Sequence, residues 1–166
     1  MALFTFKATS RLLDHGMAVE NQAAGFTIIA DEPRNLGGTD GGMNPVEMLL
    51  CALGCCKCIT ARFLAKSFGI DLKEYRLELE GDLDPAGFMK GKEGVRPGYQ
   101  QIRARVFIQA DAPEERIREF AELVQKRCPV GDCLTKGVAI VEECVVINDE
   151  LAKSSKIPSP AGRGLR

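Results

Sequence analysis

The stretch Asn44-Pro45-Val46-Glu47-Met48-Leu49-Leu50-Cys51-Ala52-Leu53-Gly54-Cys55-Cys56-Lys57-Cys58, running on from Ile59 to Gly69, decides how this chain folds. Asn44 can cap free backbone N–H groups, Pro45 suits a first helical position that needs no donor, and Glu47 stands third after the cap. From Val46 to Ser67 there is no proline and one glycine, Gly54. Leu49, Leu53, Cys56, Thr60, Phe63 and Leu64 fall mostly three or four apart and predict one apolar stripe. Leu50, Ala52, Ile59 and Ala61 widen it, while Arg62 keeps a wet face on the later turns. No charge occurs from Met48 to Cys56, so this half is expected to be buried on nearly all sides. Such a helix spans roughly 33 Å, the width of a small domain, and Gly69 ends it.

Upstream, residues 3–10 alternate and read as a strand; Asp14-His15-Gly16 turns, Met17 to Asn21 returns, and Phe26 to Ala30 makes a third strand. Asp31 to Asn44 holds Pro33 and four glycines and reads as a mobile loop. Downstream, Leu72 to Asp82 alternates Tyr75, Leu77 and Leu79 with Arg76, Glu78 and Glu80, a strand with one wet face. Pro85 to Pro97 reads as a loop, and Gln101 to Gln109 as a strand turning Ile102, Ala104, Val106 and Ile108 to the core. Asp111 is expected to cap a second helix, with Ile117, Phe120, Ala121 and Val124 on its buried side. Cys128-Pro129 breaks that helix. A helical turn from Asp132 to Lys136 and a last strand from Val138 to Ile147 follow. The order βββαββαβ predicts an α+β fold with mostly antiparallel sheets. Residues 1–150 form the expected domain, and the Ser-, Pro- and Gly-rich residues 151–166 a disordered tail.

Composition narrows the function. The 166 residues carry 22 basic and 23 acidic side chains, a formal net charge of -1. That balance supplies no field to hold nucleic acid or an anionic membrane. No run of 18 apolar residues and no basic, apolar leader occurs, so a reducing, cytoplasmic location is expected, where seven cysteines need not form structural disulfides. Four of them, Cys51, Cys55, Cys56 and Cys58, crowd onto one helix. Cys51, Cys55, Cys133 and Cys144 read most simply as core thiols. Cys55 and Cys58 make a formal CxxC, but three turns inside a helix it lacks the free N–H groups that lower a thiol's pKa. A zinc site from Cys55, Cys58, Cys128 and Cys133 has the wrong spacings for structural knuckles, and His15, the one histidine, reads as a solvated turn residue. No cofactor or metal is expected. The glycines 37, 38, 41 and 42 lack the Gly-Lys-Ser/Thr of a phosphate loop.

The run from Gly37 to Cys56, with Cys128-Pro129-Val130 far downstream, resembles the signature of the OsmC/Ohr family, the osmotically induced and organic hydroperoxide resistance proteins. The resemblance covers roughly residues 4–148. It implies an intertwined homodimer, with sheets wrapped around two long central helices and each site at the subunit interface. It also implies a chemistry: a peroxidatic cysteine on the helix, here Cys56, and a resolving one at the Cys-Pro, here Cys128. Cys56 would reduce a small organic hydroperoxide, Cys128 would close a disulfide on it, and an external dithiol or lipoylated protein would restore both. Neither cysteine is expected at a helix N-terminus, so a cation is needed. The family uses an arginine held by a glutamate. Arg34 and Arg11 are the candidates for the first and Glu47 for the second, although Val46 occupies the family's glutamate position. The alternative is a fold relative without peroxidase activity that binds a small apolar ligand or serves another thiol-dependent role.

Overall fold

The computed structural model describes residues 3–144. These fall into two compact units, 3–47 with 140–144 and 48–139.

In the first unit, strands β1 (Ala8–Leu12), β2 (Val19–Ala23) and β3 (Phe26–Ala30) form an antiparallel meander. Ser10 pairs with Asn21, and Asn21 in turn with Ile28. The first strand starts five residues later than its alternation suggested; Leu3, Phe4 and Phe6 lie outside the sheet and exposed. The segment after β3 is not a free loop. Asp31, only 1% exposed, accepts from the N–H groups of Glu32, Thr39 and Gly41 at 2.8, 2.8 and 3.0 Å and from the Thr39 hydroxyl at 2.6 Å. A 3-10 turn at Arg34–Leu36 lies inside this wrap. Glycine is required where the chain folds back: a Cβ on Gly42 would stand 2.2 Å from the Ile29 carbonyl oxygen, and one on Gly38 1.7 Å from that of Glu32.

The donors around Asp31, the Thr39 hydroxyl first, hold its carboxyl down at about 2. A depressed carboxylate contributes stability above its unfolded pKa and loses it as pH falls through the folded value. The protection of the Thr39 and Gly41 amides, relative to their intrinsic exchange, should therefore persist down to about pH 4 and be lost between there and about pH 2. Exchange that is already fast at neutral pH would contradict the clasp.

Helix α1 (Pro45–Phe68) begins and ends as its sequence dictates. The Asn44 side chain accepts from the Glu47 N–H at 2.9 Å, and Glu47 Oε2 accepts from the Asn44 N–H at 3.0 Å, a reciprocal capping box. Gly69, at φ 75°, closes the other end: its N–H reaches the Lys66 carbonyl and that of Ile70 the Ala65 carbonyl. By length and composition α1 could cross a membrane, a test that the core helix of a water-soluble domain also passes.

The second unit packs α1 on a two-stranded antiparallel ribbon, β4 (Asp71–Asp82) and β5 (Gln101–Asp111), paired from Asp71 opposite Asp111 to Asp82 opposite Gln101 with a register shift between Leu72 and Glu74. A Cβ on Gly54 would lie 3.0 Å from a Leu79 methyl, so helix and ribbon approach closely there. The loop expected between the strands contains a short helix, α2 (Pro85–Lys90), capped by Asp84. The following helix α3 (Glu114–Arg127) starts after Pro113 rather than at Asp111, which remains the last residue of β5. Ala61, Ala65, Ile70, Leu72, Phe120 and Val124 form the core. Helix α4 (Pro129–Lys136) begins at the proline, three residues before the turn read from the sequence.

Two expectations are corrected. Residues 138–144 join neither described sheet; the rest of that expected strand, and the tail from 151, lie outside the described residues. The apolar half of α1 is not buried on nearly all sides within one chain. Leu53 is buried, whereas Cys51, Ala52 and Cys55 are exposed, and Phe63, placed on the buried stripe, is 81% exposed. A two-stranded ribbon and one neighbouring helix cover only one side of a helix. The buried stripe of α1 is Leu53, Ala61 and Ala65, with Lys57 at the same four-residue spacing between them.

Candidate functional site

Cys128 is set by two helices at once. Phe120, Val124 and Cys128 follow one another at four-residue intervals and are all sealed within the chain, at 0, 0 and 1% exposure. The same residue is the N-cap of α4, where Pro129 fixes the first turn and the Gly131 N–H donates to Cys128 Sγ at 3.3 Å. This corrects the expectation that neither cysteine stands at a helix N-terminus: the sequence reading started α4 at Asp132 and so missed the cap.

Cys56, half-buried on α1, lies within side-chain hydrogen-bonding reach of Cys128. Burial pushes the Cys128 thiol up; the Gly131 N–H opposes that, the adjacent Cys56 thiol adds to it, and the Lys57 ammonium opposes it. Tyr75 of β4 borders the same place. Burial first, then the nearby Cys58 and Cys128, pushes its phenol up to about 12, so it is a neutral O–H at physiological pH. Cys58 donates to the Tyr75 carbonyl at 3.5 Å, and burial pushes its thiol up. It is a half-buried thiol held against β4. Cys51, Cys55, Cys133 and Cys144 are exposed, in contrast to their reading as core thiols. None of the seven cysteines is in a disulfide, and no cluster of three metal-ligating side chains occurs among the described residues.

Beside the thiols lies a cavity of about 810 Å³, within the size of small-molecule sites. Leu49, Leu53 and Lys57 of α1, Ile102 and Val106 of β5, and Gly131 of α4 line it. Phe63, placed on the same apolar stripe as Leu53 by its spacing, does not. The cavity joins an apolar floor to cationic groups, which suits a small ligand with an alkyl body.

The other expected site residues lie in the first unit. Arg11 bonds Glu20 across the β1–β2 pair at 3.4 Å, and Arg34 bonds Asp40 at 3.1 Å with a largely exposed side chain. Glu47 is occupied in the capping box at the start of α1. The structure thus brings Cys56 and Cys128 together and engages Arg11, Arg34 and Glu47 in local partnerships. Lys57, Tyr75 and Gly131 were missed. Lys57 carried a readable signal, a cation at four-residue spacing between Leu53 and Ala61.

Residues 38–143 match the family described as OsmC-like protein. A hydroperoxide reductase of Mycoplasma genitalium is 28% identical over 93 residues, 56% of this chain, and the chain spans 62% of that relative's length. An OsmC-like protein of Mycoplasma pneumoniae superposes with a TM-score of 0.69 at 24% identity, over 81% of this chain and 89% of that one. An organic hydroperoxide resistance protein OsmC of Legionella pneumophila does so at 0.61 and 19%, over 82% and 93%. The α+β fold with antiparallel sheets is common to them.

Proposed function

Since the chain belongs to the OsmC-like protein family, we propose that it is a thiol peroxidase for organic hydroperoxides, with Cys56 as the attacking thiol and Cys128 as the resolving one. The observation that carries this reading is the meeting of the half-buried Cys56 with the buried, helix-capping Cys128 beside a cavity with an apolar floor. The similarity to a protein named hydroperoxide reductase supports it.

The Cys56 thiolate attacks the distal peroxide oxygen, the O–O bond breaks, and the alcohol leaves after taking a proton. Cys56 is then a sulfenic acid. The Cys128 thiol displaces its hydroxyl as water and closes the Cys56–Cys128 disulfide. An external dithiol, free or carried as a lipoyl group on another protein, restores both thiols. A reducing compartment, the cytoplasm, belongs to the same reading, in keeping with seven cysteines outside any disulfide.

Two copies are proposed to assemble through α1. Cys51, Cys55, Ile59 and Phe63 stand one turn apart in an exposed apolar stripe, Ile59 at 64% and Phe63 at 81%, the kind of face that marks an interaction surface. The test combines two measurements on one preparation. Sedimentation should give a species of twice the 18.1 kDa chain mass, and a bulky organic hydroperoxide should be consumed, with a dithiol present, at least as fast as hydrogen peroxide. A monomer would remove the assembly, and absence of dithiol-dependent consumption the activity.

A further inference from the structure

Resting on the proposed disulfide cycle, we infer that its reduction has a fixed direction: the reductant attacks Cys56, and Cys128 is the leaving thiolate, received by Lys57 and the first turn of α4. Three observations lead there. The first is access. Cys128 is 1% exposed, enclosed by α3 and by the turn it caps, whereas Cys56 is half-buried. Thiol–disulfide exchange needs the attacking thiolate in line with the breaking S–S bond, and only Cys56 can be approached from outside.

The second is the reception of charge. The electron pair of the broken bond goes to the sulfur that leaves, and a buried sulfur accepts it only where donors are waiting. Cys128 has the Gly131 N–H at 3.3 Å, fixed by α4. The third observation is Lys57 itself. It occupies the buried stripe of α1 between Leu53 and Ala61, half-buried, and has no ion-pair partner among the described residues. Asp132, a carboxylate on the same cavity, is bonded to Lys136 instead. The charge of Lys57 favours a thiolate at Cys128. Such a lysine has no packing reason to interrupt an apolar stripe.

The steps balance as follows. One thiol of a small dithiol loses its proton, and its sulfur bonds to Cys56 Sγ. The Cys56–Cys128 bond breaks and Cys128 departs as the thiolate. The dithiol's second thiolate then attacks its own first sulfur, closing a cyclic disulfide and releasing Cys56. Two electrons have passed from the dithiol to the protein, and two protons from the dithiol reach solvent or the cysteines.

The test uses the whole protein oxidised with diamide, so it does not depend on peroxidase activity. The disulfide is reduced with 2-mercaptoethanol, quenched early with N-ethylmaleimide and mapped by mass spectrometry. The mercaptoethanol adduct is expected on Cys56 and the maleimide on Cys128. Lys57→Met should slow reduction about three- to tenfold, since a leaving thiol of higher pKa leaves more slowly, and Lys57→Arg should restore most of the rate. An adduct on Cys128, equal labelling of both, an unchanged rate in Lys57→Met, or failure of diamide to form the bond would each overturn the inference. A disulfide that forms with diamide but never with a hydroperoxide, and then reduces as described, would uphold it while removing the peroxidase reading.

Discussion

Cys56→Ser is expected to reduce dithiol-dependent consumption of an organic hydroperoxide to the uncatalysed background, a fall of about three orders of magnitude or more. A serine hydroxyl at neutral pH supplies no anion comparable to a thiolate. Its oxygen also cannot cycle through a sulfenic acid. Cys128→Ser should behave differently: one equivalent of peroxide is consumed per chain, and Cys56 then stays as sulfenic acid, open to trapping by dimedone. The contrast follows from position. Cys56 is the more accessible of the two and adjoins the cavity-lining turn Leu53–Lys57, while Cys128 is closed off at the junction of α3 and α4. Equal residual turnover in both variants would contradict the division of labour.

Phe120→Ala should cost about 3–5 kcal/mol of stability, read as a lower urea midpoint at unchanged slope. Phe120 is fully buried in the core, its ring 5.6 Å from that of Phe68 near the end of α1. Removing it leaves a void between α1 and α3 that small neighbours such as Ala61 and Ala65 cannot fill. Because Val124 and Cys128 continue the same face of α3, the cavity should also loosen Cys128 and slow disulfide closure. A loss below about 1 kcal/mol would mean that α3 is not anchored as described.

Much of this architecture was legible where local chemistry decides the outcome. Asn44, Pro45, Glu47 and Gly69 mark both ends of α1, and the alternation from Tyr75 to Glu80 marks β4, because caps and pleats act through neighbouring residues. The stripe of α1 was placed partly off its true position. Apolar residues cover most of that helix, so periodicity alone could not show that Leu53, Lys57 and Ala61 face inward while Ile59 and Phe63 face out. The segment after β3 was read as mobile because glycines report permitted freedom; the Asp31 clasp that removes it depends on donors eight and ten residues away.

At the site, the two cysteines were identified by their resemblance to a family motif, and their neighbours were not. Cys128 as an N-cap follows from Pro129, whose fixed φ suits a first helical position, yet the same proline also reads as the breaker of the helix before it. Lys57 stands out only once the fold shows that its spacing from Leu53 and Ala61 is that of the buried stripe. Tyr75 was assigned to the core face of a strand, and its place beside Cys58 and Cys128 depends on how β4 packs under α1.

The central claim is that Cys56 and Cys128 form one redox pair. The most direct measurement is mass-spectrometric mapping of the protein after brief exposure to a stoichiometric amount of an organic hydroperoxide, with free thiols blocked at the quench. The account predicts one intrachain disulfide, Cys56 to Cys128, with Cys51, Cys55, Cys58, Cys133 and Cys144 recovered as blocked thiols. Seven blocked thiols after complete exposure, or Cys55 bonded to Cys58 as the only disulfide, would contradict it.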